Sequence, residues 1–447
     1  MHINEIDRNI GRLALPMVVA NATVPLLGLV DLAIVGHMDS PDFIATVAVG
    51  SMMFNVMYWL LGFLRMTTSG LTAQAFGAGD WAQTRRMFAV QLRQALLTAL
   101  ALVLLQQPLL RVLMLLFSVD GSVSGQVSLY FHICIWGAPA VLALYVMTGW
   151  CVGMQNTRVA MTVSVVQNLL NILLSLLFVY ALGWGLRGVA LGTLAAQWMG
   201  CGLAAVMSWR LRRVGNGTSD AGTDVSRGRE QASESPVRMN VHLFLRTICL
   251  VAVNLFFTSM GSRQGSMMLA VNTLLMTLFT LFSYVMDGIA FAGEALCGRY
   301  WGASEYRLLG ETIRRLFIWG MLLVVLFTLL YIGGGQSFLR LLTDNAGVTE
   351  AARPYFWWAV AVPLCGMAAF VCDGVFVGLG FSGGMLVSSA LATAVFFSVS
   401  LLLFGRYGNH SLWLALLLYL FLRGLVQVVW FLRWRKTGLR TQKISAE

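Results

Sequence analysis

LTAQAFGA at residues 71–78 returns as LCGRYWGA at residues 296–303, with the leucine and the Gly-Ala pair in the same places. Leu71 and Leu296 are 225 positions apart, and the same offset relates other residues along the chain. These further pairs are Gly36 and Gly261, Ala45 and Ala270, Phe54 and Phe279, Gly149 and Gly374, and Gly153 and Gly378. A constant offset through apolar sequence indicates two homologous halves, an arrangement typical of membrane transporters.

The composition is that of a chain that lies in a lipid bilayer. Hydrophobic residues make up 58% of the sequence and charged residues 11%, whereas a soluble domain carries about 25% charged residues. Twelve apolar runs are long enough to cross the hydrocarbon core, which takes about 20 residues. They fall at 13–36, 43–72, 88–110, 127–151, 159–182, 188–209, 242–262, 266–296, 314–335, 354–378, 384–404 and 411–432. We therefore predict an all-α integral membrane protein, with twelve transmembrane helices in two homologous six-helix lobes.

One polar stretch interrupts the apolar pattern. Residues 214–240 are rich in Gly, Ser and Asp and nearly free of large hydrophobic residues, a composition typical of a flexible linker. We predict an N-terminal six-helix lobe at 1–213, a cytoplasmic linker at 214–240, a C-terminal six-helix lobe at 241–436 and a cytoplasmic tail at 437–447.

The net charge of +11 is explained by membrane topology. Arginines cluster in alternate loops, as at Arg85 and Arg86, and again in the linker and the tail. This bias follows the positive-inside rule and predicts that both termini and the linker face the cytoplasm. We therefore predict a multi-pass protein of the inner membrane. Its expected partner is the lipid bilayer, without nucleic acid, and we expect it to be a monomer.

The sequence lacks the motifs of an enzyme or of an ATP-driven pump. The seven cysteines lie in or beside apolar runs without a CxxC pair, and the five histidines are scattered. These spacings do not match a zinc site, and neither a Walker A motif nor a GxGxxG in a strand–helix context occurs. Nor do the apolar runs contain a nucleophile with a matching base. We predict no catalytic residue, no cofactor and no metal site.

Asp31 lies inside the first apolar run, within TVPLLGLVDLAIVG at residues 23–36. An ionisable group in a spanning helix costs about 2.5–3.5 kcal/mol on insertion scales, so its presence needs a reason. A low dielectric favours the neutral carboxyl group. Asp31 could therefore load a proton and release it when a cation or water enters. The alternative is a carboxylate that is bonded permanently to neighbouring helices.

The first helix also contains Pro16 and Pro25. Each proline removes a backbone hydrogen bond and can kink the helix. A bend could move Asp31 between two environments, or both kinks could be static. The sequence is compatible with either.

Polar residues on the fifth and sixth helices are candidates to join Asp31. Asn168, Asn171 and Ser175 are spaced by three and four residues, which places them on one helical face. Thr193 lies on the next helix. These residues either complete a site for proton and substrate coupling with Asp31 or serve as hydrogen-bonding glue between helices.

Acidic residues also occur inside the second half. Asp287 and Glu294 lie seven residues apart on the eighth helix, and Asp373 lies on the tenth. Asp287 and Asp373 either take part in ion coupling or hold helices together. Arg65 on the second helix is the expected counter-charge for an acid. An interlobe pair of Arg65 with Glu294 would close the lobes on the cytoplasmic side, or it would be a static ion pair.

Five segments resemble the multidrug and toxic compound extrusion (MATE) transporters, in the DinF branch. They are RLALPM at 12–17, TVPLLGLVDLAIVGHMDS at 23–40, LRMTTSGLTAQAFGA at 64–78, MDGIAFAGEA at 286–295 and YGNHSLWLAL at 407–416. The resemblance covers nearly the whole chain. It implies two six-helix lobes around a central cavity, and export of cationic or amphipathic compounds driven by H+ or Na+.

The resemblance also implies roles for particular residues. The family's first-helix acid falls on Asp31, its fifth-helix asparagine on Asn171 and its sixth-helix threonine on Thr193. The acid that usually follows four residues after the asparagine is replaced by Ser175, and a single acid favours H+ over Na+. Asp373 matches the tenth-helix acid of the NorM branch, but the seventh-helix glutamate of that branch has no counterpart.

These observations predict a secondary active multidrug efflux antiporter. It would exchange small organic cations or amphiphiles for H+, with Na+ as the other candidate ion. The alternative is a lipid-linked oligosaccharide flippase of the same superfamily. Such a flippase would line its cavity with several Arg or Lys side chains to bind pyrophosphate, and Arg65 is the only deep basic residue that we identify from the sequence.

Overall fold

A computed structural model of the chain describes residues 2–36, 41–119, 121–216, 234–343 and 345–444. Within these ranges the backbone alone is described for 2–4, 24–27, 29, 31–33, 35–36, 41, 212–216, 336, 341 and 435–444. The side chains of Asp31 and Pro25 therefore lie outside the described set, and so do residues 217–233 of the predicted linker.

The described residues form sixteen α-helices. They are α1 (His2–Gly36), α2 (Pro41–Leu61), α3 (Phe63–Gly77), α4 (Trp81–Leu104), α5 (Gln106–Leu116), α6 (Gly121–Cys134), α7 (Ala138–Gly153), α8 (Thr157–Leu176), α9 (Gly185–Asn216), α10 (Pro236–Arg263), α11 (Ser266–Gly302), α12 (Tyr306–Leu342), α13 (Ala346–Ala352), α14 (Phe356–Leu379), α15 (Ser382–Tyr407) and α16 (Asn409–Ile444). The described part of the chain also contains two 3₁₀ turns, Ile135–Gly137 and Arg353–Tyr355, and one π-helical turn, Leu177–Ala181.

The helices confirm the predicted twelve-helix, two-lobe membrane fold. In the described part of the chain, eleven helical stretches are long and apolar enough to cross a bilayer. Some combine two helices, as α2 does with α3 and α6 with α7. The remaining span is α1, which continues through Pro16 and Pro25 without a break in its helical backbone. Whether α1 bends there during function stays a prediction.

The repeat seen in the sequence is also present in the positions of the helices. Helices of the first half begin at residues 41, 81, 121 and 157, and their counterparts begin at 266, 306, 346 and 382, an offset of 225 each time. Equivalent helices pack alike, since α7 contacts α4 and α9 as α14 contacts α12 and α16. The halves differ locally. The π-helical turn after α8 corresponds to ordinary α-helix in α15.

The paired glycines mark close helix crossings. A side chain at Gly149 would run into the backbone carbonyl of Arg65, and one at Gly374 would run into that of Ala290. Both the glycines and the carbonyls are related by the offset of 225. Small residues allow this kind of backbone contact between membrane helices. The repeated glycines are therefore explained by packing.

The chain divides into two compact units. The N-terminal unit contains Arg12–Pro236 and Gly298–Ser304, and the C-terminal unit contains Met1–Gly11, Val237–Cys297 and Glu305–Glu447. The predicted limits of lobes, linker and tail at residues 213, 240 and 436 stay predictions.

Candidate functional site

Three of the predicted site residues form a hydrogen-bonded chain in the N-terminal unit. Ser175 Oγ donates to Asn171 Oδ1 at 3.2 Å, and Asn171 Nδ2 donates to Thr193 Oγ1 at 3.4 Å. Thr193 then donates to the backbone carbonyl of Val189 at 3.1 Å. Asn171 and Ser175 are buried. We call Ser175, Asn171 and Thr193 the amide–hydroxyl chain. It offers neutral donors and acceptors and contains no charged group.

Glycines on α9 bring the two helices of this chain together. A Cβ atom on Gly192 would lie 2.7 Å from Ser175 Oγ and 2.8 Å from its backbone nitrogen. A Cβ atom on Gly188 would lie 2.9 Å from the carbonyl carbon of Phe178. Glycines four residues apart on one membrane helix allow such close approach. The side chain of Asn171 can then reach Thr193 on the neighbouring helix.

Helix α1 is hydrogen-bonded to α8 and to the π-helical turn. Asn168 Nδ2 donates to Thr23 Oγ1 at 2.8 Å, and the Tyr180 hydroxyl donates to the backbone carbonyl of Ile34 at 3.2 Å. Position 31 of α1 lies between these two contacts along the chain. The predicted contact of Asp31 with the amide–hydroxyl chain involves a side chain outside the described set, and it stays a prediction.

A second polar group lies in the C-terminal unit around Asp373 on α14. Arg246 Nη2 from α10 donates to Asp373 Oδ2, and Arg423 Nη2 from α16 lies 3.5 Å from the same oxygen. Gln427 Nε2 donates to Asp373 Oδ1 at 2.9 Å. The side chains of both arginines and of Asp373 are at most 10% exposed. We call Arg246, Asp373, Arg423 and Gln427 the charged cluster.

The two arginines of this cluster correct the prediction that Arg65 is the only deep basic residue. Arg246 and Arg423 are both buried, and each lies inside a predicted apolar run. Arg423 also lies against the rings of Phe370 and Tyr419, 5.7 Å from each ring centroid. A buried arginine needs a counter-charge and hydrogen-bond acceptors. The presence of Asp373 in the tenth helix was the available signal for such partners.

The other predicted acids lie on α11. Glu294 is buried, and Asp287 is within electrostatic reach of Arg423. Arg65 on α3 belongs to the N-terminal unit and Glu294 to the C-terminal unit, so their predicted pairing stays a prediction. Across the described residues, no group of three or more His, Cys, Asp and Glu side chains could hold a metal ion.

The sequence and the fold are similar to those of known proteins. The MatE family pattern matches residues 16–177 and 243–402. The chain is 35% identical over 430 residues to the DNA damage-inducible protein F of Escherichia coli K12, covering 96% of this chain and 93% of that protein. It is 27% identical over 217 residues to the multidrug resistance protein MdtK of Yersinia enterocolitica, covering 46% of this chain and 45% of that protein. The fold matches a mutant of the Vibrio cholerae MATE transporter VcmN with a TM-score of 0.82 at 18% identity, covering 98% of each chain.

Proposed function

Because the chain belongs to the MatE family of transporters, in its DinF branch, we propose that it exports cationic or amphipathic small molecules in exchange for H+. The proposed carrier of the proton is Asp31 on α1. The amide–hydroxyl chain of Ser175, Asn171 and Thr193 is the observation that carries this proposal, because it provides the neutral, buried or partly buried partners that such an acid needs.

The repeat supports a polar site in the N-terminal half alone. The offset of 225 pairs Asp31 with Phe256 and Asn171 with Phe396. In the C-terminal unit these two rings touch edge to face, with their centroids 5.8 Å apart. Homologous halves place equivalent residues in equivalent surroundings. We infer that Asp31 and Asn171 are neighbours as Phe256 and Phe396 are, with an acid and an amide in place of two rings.

The exchange follows from the charge of Asp31. The ionised carboxylate attracts an organic cation, whose apolar parts fit the surrounding membrane helices. A proton that enters from the outside neutralises the carboxylate, so that the cation loses its counter-charge and leaves. Loss of the proton to the cytoplasm restores the binding state. A membrane potential contributes about 2.3 kcal/mol per elementary charge for each 100 mV. The name of the relative MdtK, a multidrug resistance protein, agrees with such cargo.

The choice of H+ over Na+ follows from the residue at position 175. A Na+ ion in a membrane needs several oxygen ligands to replace its water, and a site with one acid is a poorer Na+ site than a site with two. The amide–hydroxyl chain provides oxygen atoms but no carboxylate. The residue at position 175 is a serine, whose hydroxyl donates a hydrogen bond to Asn171. A proton needs a single acceptor, and Asp31 is sufficient for it.

Asp373 is less suited to ion coupling. Both of its oxygens are engaged by Arg246, Arg423 and Gln427. We therefore assign the charged cluster to the packing of α10, α14 and α16, one of the two roles that the sequence left open. The same engagement argues against the flippase alternative, because arginines paired with an aspartate do not form a basic lining for pyrophosphate.

The proposed setting is the inner membrane, with both chain termini in the cytoplasm. The multi-pass fold requires a bilayer, and the arginine-rich linker and tail favour the cytoplasmic side. We propose a monomer without a cofactor as the working unit.

Dye uptake into everted membrane vesicles, in which an exporter pumps inward, tests the proposed function. An imposed pH gradient is expected to drive ethidium transport, whereas an imposed Na+ gradient at constant pH is not. Asp31→Asn removes the exchangeable proton and is expected to abolish pH-driven transport. Glu311→Gln serves as the matched control, because Glu311 pairs with the exposed Arg307 on α12 and its loss leaves the rate unchanged. Full pH-driven transport by Asp31→Asn would remove Asp31 from the mechanism.

A further inference from the structure

Two hydrogen bonds hold α1 on either side of the stretch that contains Pro25 and Asp31. The first joins Asn168 to Thr23 at 2.8 Å, and the second joins Tyr180 to the carbonyl of Ile34 at 3.2 Å. The Thr23 hydroxyl donates a hydrogen bond to the backbone carbonyl of Ala20 at 2.7 Å. Its hydroxyl oxygen is therefore free to accept from the Asn168 amide. We call these two bonds the α1 braces.

The braces set the level of Asp31 along α8. Thr23 and Ile34 are eleven residues apart, and Asn168 and Tyr180 are twelve apart in the same order. The two helices therefore run side by side in the same direction over this interval. Position 31 comes eight residues after Thr23 and three before Ile34. Counting from either brace places the backbone of position 31 at the height of residues 176–177. These residues directly follow Ser175 of the amide–hydroxyl chain.

The π-helical turn explains how Tyr180 reaches α1. Its residues rotate less per step than those of an α-helix, so the turn changes the direction in which Leu177–Ala181 present their side chains. Gly188 on α9 makes room for it, since any side chain there would strike the backbone of Phe178. The Phe178 carbonyl accepts from the backbone nitrogen of Trp184 at 3.0 Å. π-helical turns are frequent at functional sites.

Among the described residues, the C-terminal half has no counterpart of either brace. The offset of 225 pairs Thr23 with Ile248, Asn168 with Thr393 and Tyr180 with Gly405. Isoleucine has no acceptor and glycine has no donor on its side chain. Thr393 Oγ1 is buried and has no hydrogen-bond partner among the described residues. Braces that served general packing would be expected in both halves. They occur in the half whose first helix carries the acid.

We propose that Asn168 and Tyr180 are positioning residues, which hold the backbone of residues 24–33 of α1 level with the amide–hydroxyl chain. This inference rests on the proposed function of Asp31. The braces act on the turnover of the exporter rather than on its stability. Loss of one brace leaves the other to hold the segment, and loss of both releases it.

Transport by braced and unbraced variants tests the inference in proteoliposomes with ethidium as cargo and an imposed pH gradient. Tyr180→Phe and Thr23→Val each remove one hydrogen bond, and each is expected to lower the maximal rate about two- to tenfold. The apparent KM for ethidium stays within about twofold, because the residues do not touch the cargo. The double variant is expected to transport as little as Asp31→Asn. Thr23→Ser keeps the accepting hydroxyl and restores the rate.

The matched control is Tyr331→Phe. Tyr331 donates to the carbonyl of Leu278 at 2.6 Å, so this variant loses the same kind of bond in the C-terminal unit, and its rate stays that of the wild type. Thermal unfolding of each purified variant separates positioning from folding. An equal loss of rate in Thr23→Ser and Thr23→Val, or a loss that follows stability, overturns the inference. The inference is also overturned if Tyr180→Phe and Thr23→Val transport at the wild-type rate while Asp31→Asn is inactive. An active Asp31→Asn protein instead overturns the proposed function.

Discussion

The two homologous halves build their buried polar groups from opposite chemistry. The N-terminal unit builds the amide–hydroxyl chain from neutral side chains, with Asn171 at its centre. The C-terminal unit surrounds Asp373 with two arginines and a glutamine. The offset pairs Asn171 with Phe396, and it pairs Asp373 with Thr148, whose hydroxyl returns to the backbone carbonyl of Leu144 at 2.7 Å. At these two pairs, each half has a buried acid or amide where the other half has neither.

This difference separates two uses of a buried acid. Amides and hydroxyls can bond to a carboxyl group with or without its proton, since they donate and accept. Such partners suit an acid that changes its charge during transport. Guanidinium groups only donate, and they stay charged. An acid that is shared by two arginines is therefore a fixed counter-ion, and its value lies in joining helices.

The largest expected effect comes from removing the fixed counter-ion. Asp373→Asn leaves Arg246 and Arg423 buried without their carboxylate, and breaking a buried pair in this way costs about 3–5 kcal/mol. The Nε atoms of both arginines already have no hydrogen-bond partner among the described residues, so the loss of the carboxylate adds to donors that are already unpaired. Thermal unfolding of the purified protein should show a strongly destabilised variant. Asp31→Asn, by contrast, should unfold close to the wild-type temperature.

A surface pair in the same unit provides the control for that experiment. Glu350 and Arg353 are exposed and 3.1 Å apart, and exposed pairs contribute little to stability. Glu350→Gln is therefore expected to unfold like the wild type. A stable Asp373→Asn protein that has lost proton-driven transport would reverse the assignment and make Asp373 a coupling residue.

The sequence predicted the fold well because the fold depends on signals that run along the chain. Apolar runs show the spans, and the offset of 225 shows the repeat without any knowledge of contacts. The helical face of Asn168, Asn171 and Ser175 was predictable for the same reason, since spacings of three and four define a face. The structure places two of these residues in the amide–hydroxyl chain and the third in a brace.

The charged cluster and the braces were not predicted, because their partners are distant in sequence. Arg246 is 127 residues from Asp373. A single arginine also changes the average hydropathy of a long apolar run too little to be noticed. Tyr180 is 146 residues from Ile34. Its contact also depends on a π-helical turn that the apolar sequence around it does not show. The spacing of Gly188 and Gly192 was the one local hint that backbones meet there.

A smaller effect is expected from overpacking the N-terminal site. Gly192→Ala adds a Cβ atom that would lie 2.8 Å from the backbone nitrogen of Ser175, so α8 and α9 must move apart. Overpacking of this kind costs about 1–3 kcal/mol, and it lengthens the bond from Asn171 to Thr193. Both unfolding temperature and pH-driven efflux should fall.

Gly202→Ala on the same helix is the matched control. A Cβ atom at Gly202 meets nothing within 4 Å, so its stability and transport should equal or exceed those of the wild type. If Gly192→Ala behaved in the same way, the close approach of α8 and α9 would not be needed for the site.

The smallest expected effect compares two serines that the repeat makes equivalent. Ser175 and Ser400 are 225 positions apart and both are buried. Ser175 donates to Asn171, whereas Ser400 Oγ has no hydrogen-bond partner among the described residues. The position equivalent to Asn171 is Phe396, whose side chain offers no acceptor.

Ser175→Ala removes one hydrogen bond, about 1 kcal/mol, and should slow pH-driven efflux about fivefold. Ser400→Ala removes an unpaired hydroxyl and should leave efflux unchanged, with equal or higher stability. Equal efflux by the two variants would mean that the amide–hydroxyl chain takes no part in transport, and that the halves differ in packing alone.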